Sequence, residues 1–330
     1  MRADGTRTFA AVLVAALSLA IPAPAAAQLE AWTNPTLGEL KPEADYRAQF
    51  YPDQPVRGQP TDIGWLEHRV TFSTPLWQDA RNEWSLSGYA RFQELDHQAV
   101  LPEIGEPLPD ELWNVRLGPG YRHRFDNGWV GGALLLVGSA SDKPFDSADE
   151  LTVLATTFVR IPHRERNAWL VSLNYTNFGE FLGHAPFPGL AYIYSPSERF
   201  TAVIGVPFSS VRARPFKRLT INLHYVPVRT VSAQLIYEIF RPLRFLAGFT
   251  WDNDAYFRAG RSDKDERLRY YEKRVTAGFR FDLRHVGLEL TGGYAFDRFF
   301  FEGEQYSDRH GNRIDADDGP FAVAKLDFRF

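Results

Sequence analysis

The feature that most restricts this chain is a two-residue rhythm. From Gly319 to Phe330 the sequence reads GPFAVAKLDFRF. Ala322, Ala324, Leu326, Phe328 and Phe330 are apolar, and Lys325, Asp327 and Arg329 between them are charged. A period of two belongs to a β-strand with one apolar and one polar face. The rhythm recurs upstream. Over Gly64 to Thr74, Leu66, Val70 and Phe72 oppose Glu67, Arg69, Thr71 and Ser73. Over Trp84 to Phe92, Leu86 and Ala90 oppose Ser85, Ser87, Tyr89 and Arg91. Over Trp113 to Phe125, Trp113, Val115 and Leu117 oppose Asn114 and Arg116. Beyond residue 28 no apolar run approaches 18 residues, which excludes a helical membrane span. The reading is therefore all-β.

Such strands can close into a barrel or stack as a sandwich. The apolar positions Phe279, Phe281, Leu288, Leu290, Tyr294 and Phe296 would need a second apolar layer in water. In lipid they need none, and closure leaves no unpaired edge in the hydrocarbon. Aromatics make up 15% of residues, as an interfacial girdle requires. A transmembrane antiparallel up-and-down barrel is the expected fold.

The terminal strand ending on Phe330, with Phe328 and Leu326 before it, resembles the C-terminal assembly signal of bacterial outer-membrane β-barrels. That resemblance implies the bacterial outer membrane as the location. It also implies outer-membrane lipids, lipopolysaccharide, the barrel-assembly machinery and periplasmic chaperones as partners. The other end agrees. Arg2 and Arg7 precede an apolar stretch from Phe9 to Leu19, then Pro22, Pro24 and Ala25-Ala26-Ala27, the pattern of a cleaved signal peptide. The expected division is 1–27 signal, 28–43 periplasmic tail or short plug, and 44–330 barrel. A narrower resemblance rests on Pro186, Pro188, Gly189, Tyr192, Gly205, Pro207, Ser209 and Ser210. These are similar to a family of outer-membrane barrels with no assigned function. It implies a barrel and carries over no site residues.

Strand counting gives fifteen segments, but single-chain bacterial barrels have an even number. Counts from the two ends disagree between Gly189 and Phe240. The expectation is fourteen strands, with twelve as the alternative. Asp126-Asn127-Gly128 reads as a tight hairpin turn. The stretches Leu95 to Asp110 and Asp252 to Arg269 read as long polar loops.

Charge excludes some functions. The chain has 37 Lys+Arg against 41 Asp+Glu. Removing Arg2, Arg7 and Asp4 leaves 35 against 40, so nothing points to nucleic acid as a partner. The absence of cysteine suits passage through an oxidising periplasm. The inward positions expected to line the lumen include Glu67, Arg69, Arg91, Arg116, Arg274, Arg280, Glu289 and Asp327. Arg244, Lys325 and Arg329 join them, as do Glu238, Asp252, Glu272, Asp282 and Asp297. The signs balance, which suits either internal pairing or a weakly selective pore. His224, beside Thr220 and Asn222, is the one histidine worth weighing as a base. Without a positioned nucleophile it reads as a lumen histidine. Asp308 to Asp318 is oxygen-rich, but Gly311 is misplaced for a calcium loop, so it reads as a solvated loop. The basic run Arg212, Arg214, Lys217 and Arg218 suits lipopolysaccharide phosphates if it faces the outer leaflet. No catalytic, cofactor or metal residues are assigned. The functional expectation is a small porin or solute channel. A structural barrel that binds a partner or lipopolysaccharide through its loops is the alternative, and a barrel hydrolase ranks last.

Overall fold

The computed structural model describes residues 37–178, 185–227 and 229–329. The signal segment, most of the tail and Phe330 lie outside them. Seventeen strands follow in chain order. They are β1 (Glu43–Pro55), β2 (Asp62–Gln78), β3 (Asn82–His97), β4 (Glu111–Arg124), β5 (Val130–Ser141), β6 (Leu151–His163), β7 (Asn167–Thr176), β8 (Phe187–Ser197) and β9 (Phe200–Val206). They continue with β10 (Ser209–Phe216), β11 (Leu219–Val226), β12 (Thr230–Phe240), β13 (Leu243–Tyr256), β14 (Arg267–Asp282), β15 (Val286–Gly303), β16 (Arg313–Ala316) and β17 (Gly319–Arg329). Each strand pairs antiparallel with its neighbour. β1 closes the sheet on β17, from Glu43 against Arg329 to Phe50 against Ala322. β16 and β17 both pair with β15, at its two ends, so they are two parts of one stave. The barrel therefore has sixteen staves.

This overturns both fourteen and twelve. The miscount does fall between Gly189 and Phe240, in the opposite direction. The missing strand is β10, SSVRARPF, which pairs with β9 and β11. Its alternation rests only on Val211 and Ala213, and just Pro207 and Phe208 separate it from β9, so it reads as a basic loop. The expected loop Asp252 to Arg269 is also shorter than it looked, because β13 runs on to Tyr256 and β14 begins at Arg267.

The two rims differ. Strands β1 and β17 meet at the terminal rim, where every turn between strands is short. At Asn127-Gly128, Gly128 adopts a φ of 80° that a side chain would oppose, and its N–H donates to the Phe125 carbonyl at 3.0 Å. Lys217 and Arg218 form another of these turns. The far rim carries the longer loops 98–110, 142–150, 257–266 and 304–312. Stave length varies around the wall. β2, β3 and β15 span 17, 16 and 18 residues, whereas β9, β10 and β11 span 7, 8 and 8. One side of the far rim is thus a low wall.

The outer face is apolar between two aromatic belts. Near the terminal rim, Trp84 packs on Tyr121 and Trp169 on Tyr192, with ring centroids 4.7 Å apart in both pairs. Toward the far rim, Phe92 packs on Trp113 at 4.2 Å and Tyr271 on Phe299 at 4.5 Å. Trp84 and Phe92 lie on one strand, so the belts are about 26 Å apart along it at roughly 3.3 Å per residue. At a tilt of about 40° that becomes roughly 20 Å along the axis, close to the apolar band of membrane barrels. Leu135, Val137, Leu223, Phe279, Leu290 and Tyr294 are exposed between the belts. This is the architecture of a membrane-spanning β-barrel. Among the described residues no helix is long and apolar enough to cross a membrane.

Candidate functional site: a divided lumen

The interior is built by the inward half of the two-residue rhythm, and it is not uniform. On β1–β3 and β13–β15 it is closed by ion pairs. Glu67 accepts from Arg69 at 2.8 Å and from Arg91 at 2.7 Å. Arg91 also pairs with Asp254 of β13, reaching across the lumen. Beside it the Tyr256 hydroxyl donates to Gln93 Oε1 at 2.7 Å. A second group centres on Glu272, which accepts from the hydroxyls of Tyr51 at 2.8 Å and Tyr270 at 2.9 Å and pairs with Arg274 at 2.9 Å. Arg298 lies over the rings of Trp65 and Tyr51, at 4.6 and 5.0 Å. Glu67, Arg91, Gln93, Glu272 and Arg298 are each no more than 2% accessible. Glu67, Arg91 and Glu272 are paired, as buried charges require, whereas Arg298 donates through Nη1 to the Asp317 carbonyl at 2.9 Å and keeps Nε and Nη2 without a partner.

Toward the far rim this layer meets an apolar core that includes Ile63, Trp65, Leu112, Leu268 and Phe300. Loop 98–110 folds into it through Ala99, Leu101 and Leu108. The core is closed off by a pinch. β5 and β13 are eight staves apart in either direction around the barrel, yet their far ends touch. Ser141 bridges to Phe257, the Phe257 N–H donates to the Ala140 carbonyl at 2.7 Å, and the Ala259 N–H donates to Asp142 at 2.8 Å. At the far rim the cross-section is therefore two lobes. β1–β5 with β13–β17 enclose a sealed lobe, and β5–β13 enclose the other.

The second lobe is different in kind. Among its inward residues, Ser210, Asn222, His224, Ser232 and Thr250 are half-buried and Arg212 and Gln234 are exposed. An inward side chain that remains accessible faces open space in the lumen. Lower on β5–β9 the lobe narrows around an apolar group containing Phe158, Leu170, Ile193 and Val203. Leu37 of the N-terminal segment packs into that group, and Leu40 is tied to the barrel through reciprocal bonds with Gln78 at 3.0 and 2.9 Å.

The expected lining residues fall into three places. Glu67, Arg69, Arg91 and Arg274 belong to the sealed networks. Arg280, Glu289 and Asp327 form another network near the terminal rim, where Arg280 also meets Asp282 at 2.9 Å and Lys325 meets Asp327 at 2.9 Å. Arg116 stands apart. Its guanidinium lies 5.5 Å from the Phe178 ring, and its Nε and Nη2 are buried with no hydrogen-bond partner. Phe328 and Leu326 sit on β17 with the outward residues. Asp297, expected inside, is a correction. A bulge in β15 gives it a φ of 53° and sends its side chain to Lys273 at 2.6 Å on the outer side. The same bulge reverses the phase beyond it and turns Arg298 inward. The sequence pattern does not reveal Arg298 because of this bulge, nor Asp254 and Tyr256 because β13 runs past Trp251 to Tyr256. The alternation of Asp252, Asp254 and Tyr256 was the available signal.

At the far rim, outside the band, Glu150 is buried beside Arg261 at 3.2 Å. Burial pushes its carboxyl up, but hydrogen bonds from Ser147 and Arg261 outweigh this and hold it below the ordinary range. Among the described residues no three His, Asp or Glu side chains are grouped to hold a metal ion. His224 has Ser210 and Ser232 as its register neighbours.

No family model matches the chain, and no curated protein matches it in sequence. Solved structures similar in outline include an outer-membrane channel from Pseudomonas putida F1, described as the COG4313 channel. It has 9% identity and a TM-score of 0.37, with 90% of this chain and 98% of that one covered. Pseudomonas aeruginosa OccK7 has 9% identity and a TM-score of 0.38, covering 89% and 99%. A Pseudomonas aeruginosa FadL homologue has 11% identity and a TM-score of 0.35, covering 88% and 90%. Likeness this distant assigns no activity or solute to this chain.

Proposed function

We propose that this protein is a bacterial outer-membrane channel whose solute path runs through the lobe between β5 and β13. The accessible polar strip along β10–β13, from Arg212 through Asn222 and Gln234 to Thr250, carries the reading. Polar side chains facing a lumen at membrane depth are stable when water reaches them, and sixteen staves are enough to enclose water. In this orientation the terminal rim is periplasmic. The Lys217-Arg218 turn then faces the periplasm, and the far-rim loops are left as the contacts for lipopolysaccharide. Assembly through the periplasm, with the C-terminal strand as the signal, belongs to the same reading.

The sealed lobe supports a second reading, a structural barrel that acts through its far-rim loops. Single-channel recording separates the two. The purified chain, refolded into planar bilayers, should give stable conductance steps. A folded barrel that never conducts would leave the structural reading.

A further inference from the structure

The balanced interior charge is the sum of two unlike halves. The carboxylates Glu67, Asp254, Glu272, Asp282, Glu289 and Asp327 all lie on β2, β13, β14, β15 or β17. From β5 to β11, seven consecutive strands contain no Asp or Glu at all. β4 has only Glu111, at its far end, and β12 only Glu238. Inward positions on this wall hold Arg160 on β6, Arg212 on β10 and His224 on β11, while Arg116, on β4 at the border between the lobes, places its guanidinium 5.5 Å from the Phe178 ring that follows β7. The acids that border the lobe are already engaged. Asp252 is bound to Arg274 at 2.5 Å and Asp254 to Arg91, while Glu238 lies 4.0 Å from Arg241.

Arg116 shows the consequence at one residue. Its level on the wall continues to Gly138 on β5 and then to Thr152 on β6. Gly138 puts no side chain between them, and Thr152 Oγ1 is, like Arg116 Nε and Nη2, buried without a partner. Arg229, on the far-rim turn, adds charge of the same sign to the field at Arg116. Buried guanidinium nitrogens left without a partner are costly unless an anion reaches them. The carboxylate-free wall offers none, and Asp254 of β13, whose charge also acts on Arg116, is paired with Arg91.

We infer that the open lobe is an anion path, with Arg116 and Thr152 as a binding station for a small anionic solute bearing a carboxylate or phosphate group. Arg160 lies nearer the terminal rim and Arg116 in the far half, so positive charge is spread along the length of the wall. This rests on the channel reading for transport, but the binding station stands without it.

Two measurements test it. The first is the reversal potential of the refolded chain in planar bilayers under a potassium chloride gradient. The expected sign is that of chloride preference. Arg116→Gln with Arg212→Gln should lower the chloride-to-potassium permeability ratio by roughly threefold or more, since fixed charges of one sign set pore preference. Cation preference, no preference, or an unchanged ratio in the variant would overturn the proposal. The second is titration of inorganic phosphate into the folded protein in detergent. Saturable binding is expected, weakened by roughly tenfold in Arg116→Gln, as a charge-assisted hydrogen bond is worth about 1.5 kcal/mol or more. Arg116→Lys should keep part of it. Heat-dependent gel mobility confirms that each variant is folded. No saturable binding to the wild type would overturn the station. Binding without conductance would remove the channel reading and leave the station in place.

Discussion

Arg91 is the side chain on which the sealed lobe most depends. It is 2% accessible and joins Glu67 of β2 to Asp254 of β13, two strands that are not neighbours in the sheet. Arg91→Met keeps the bulk and removes the charge. Glu67 would still hold Arg69 at 2.8 Å, so its loss is partial. Asp254 would lose the partner it reaches across the lumen, although at 23% accessibility water can soften the cost. Removing one member of a buried pair costs about 3–5 kcal/mol, and the partial hydration of Asp254 places this case near the lower end. Adding Asp254→Asn removes the stranded charge, and the double variant should recover to within about 1–2 kcal/mol of wild type. The assay is urea unfolding in lipid vesicles, followed by tryptophan fluorescence and by gel mobility. A single variant costing under about 1 kcal/mol would refute the view that this lobe is dry, because a solvated pair is worth no more than that. A double variant no better than the single would refute Asp254 as the stranded partner.

Other perturbations probe other parts of the account. Phe257→Pro removes the N–H that donates to the Ala140 carbonyl across the pinch. It should raise or destabilise the open-channel conductance, and an unchanged trace would mean that the pinch does not bound the path. Gly138→Val places a side chain where even a Cβ would collide with the Val115 carbonyl. It should cost more than about 2 kcal/mol, read by the same unfolding assay, because the obstacle is backbone. Glu150 has its carboxyl held below the ordinary value, so its contribution is complete above that value and is lost as pH falls through the folded-state value. Hydrogen exchange in residues 142–150 should therefore accelerate, after correction for intrinsic rates, as pH drops below about 4. A flat profile would contradict the role given to Arg261 and Ser147.

Much of the barrel was legible because lipid on one side and a polar lumen on the other force strict alternation. Where that alternation is strong, as in β2, β3 and β17, the inward residues could be named from the sequence. It fails where a strand is short and lined by Arg and Ser, as β10 is, and where a bulge at Asp297 reverses the phase. The division of the lumen was not legible. It depends on β5 meeting β13 across the barrel, a contact between residues far apart in sequence that no local pattern encodes. The absence of carboxylates from β5 to β11 was present in the sequence throughout. It acquired meaning only when those strands proved to be one continuous wall.

The central claim is that one lobe is open to water and the other is not. The chain has no cysteine, so single cysteines can report on each lobe without interference. Gln234→Cys and Gln93→Cys, folded in lipid vesicles, should be exposed to a charged, membrane-impermeant thiol reagent. Gln234 is exposed on the inner face of β12, while Gln93 is fully buried beneath Tyr256. The account predicts rapid labelling at position 234 and labelling at position 93 only after unfolding. Equal labelling at both positions, or protection of position 234 in the folded barrel, would contradict it.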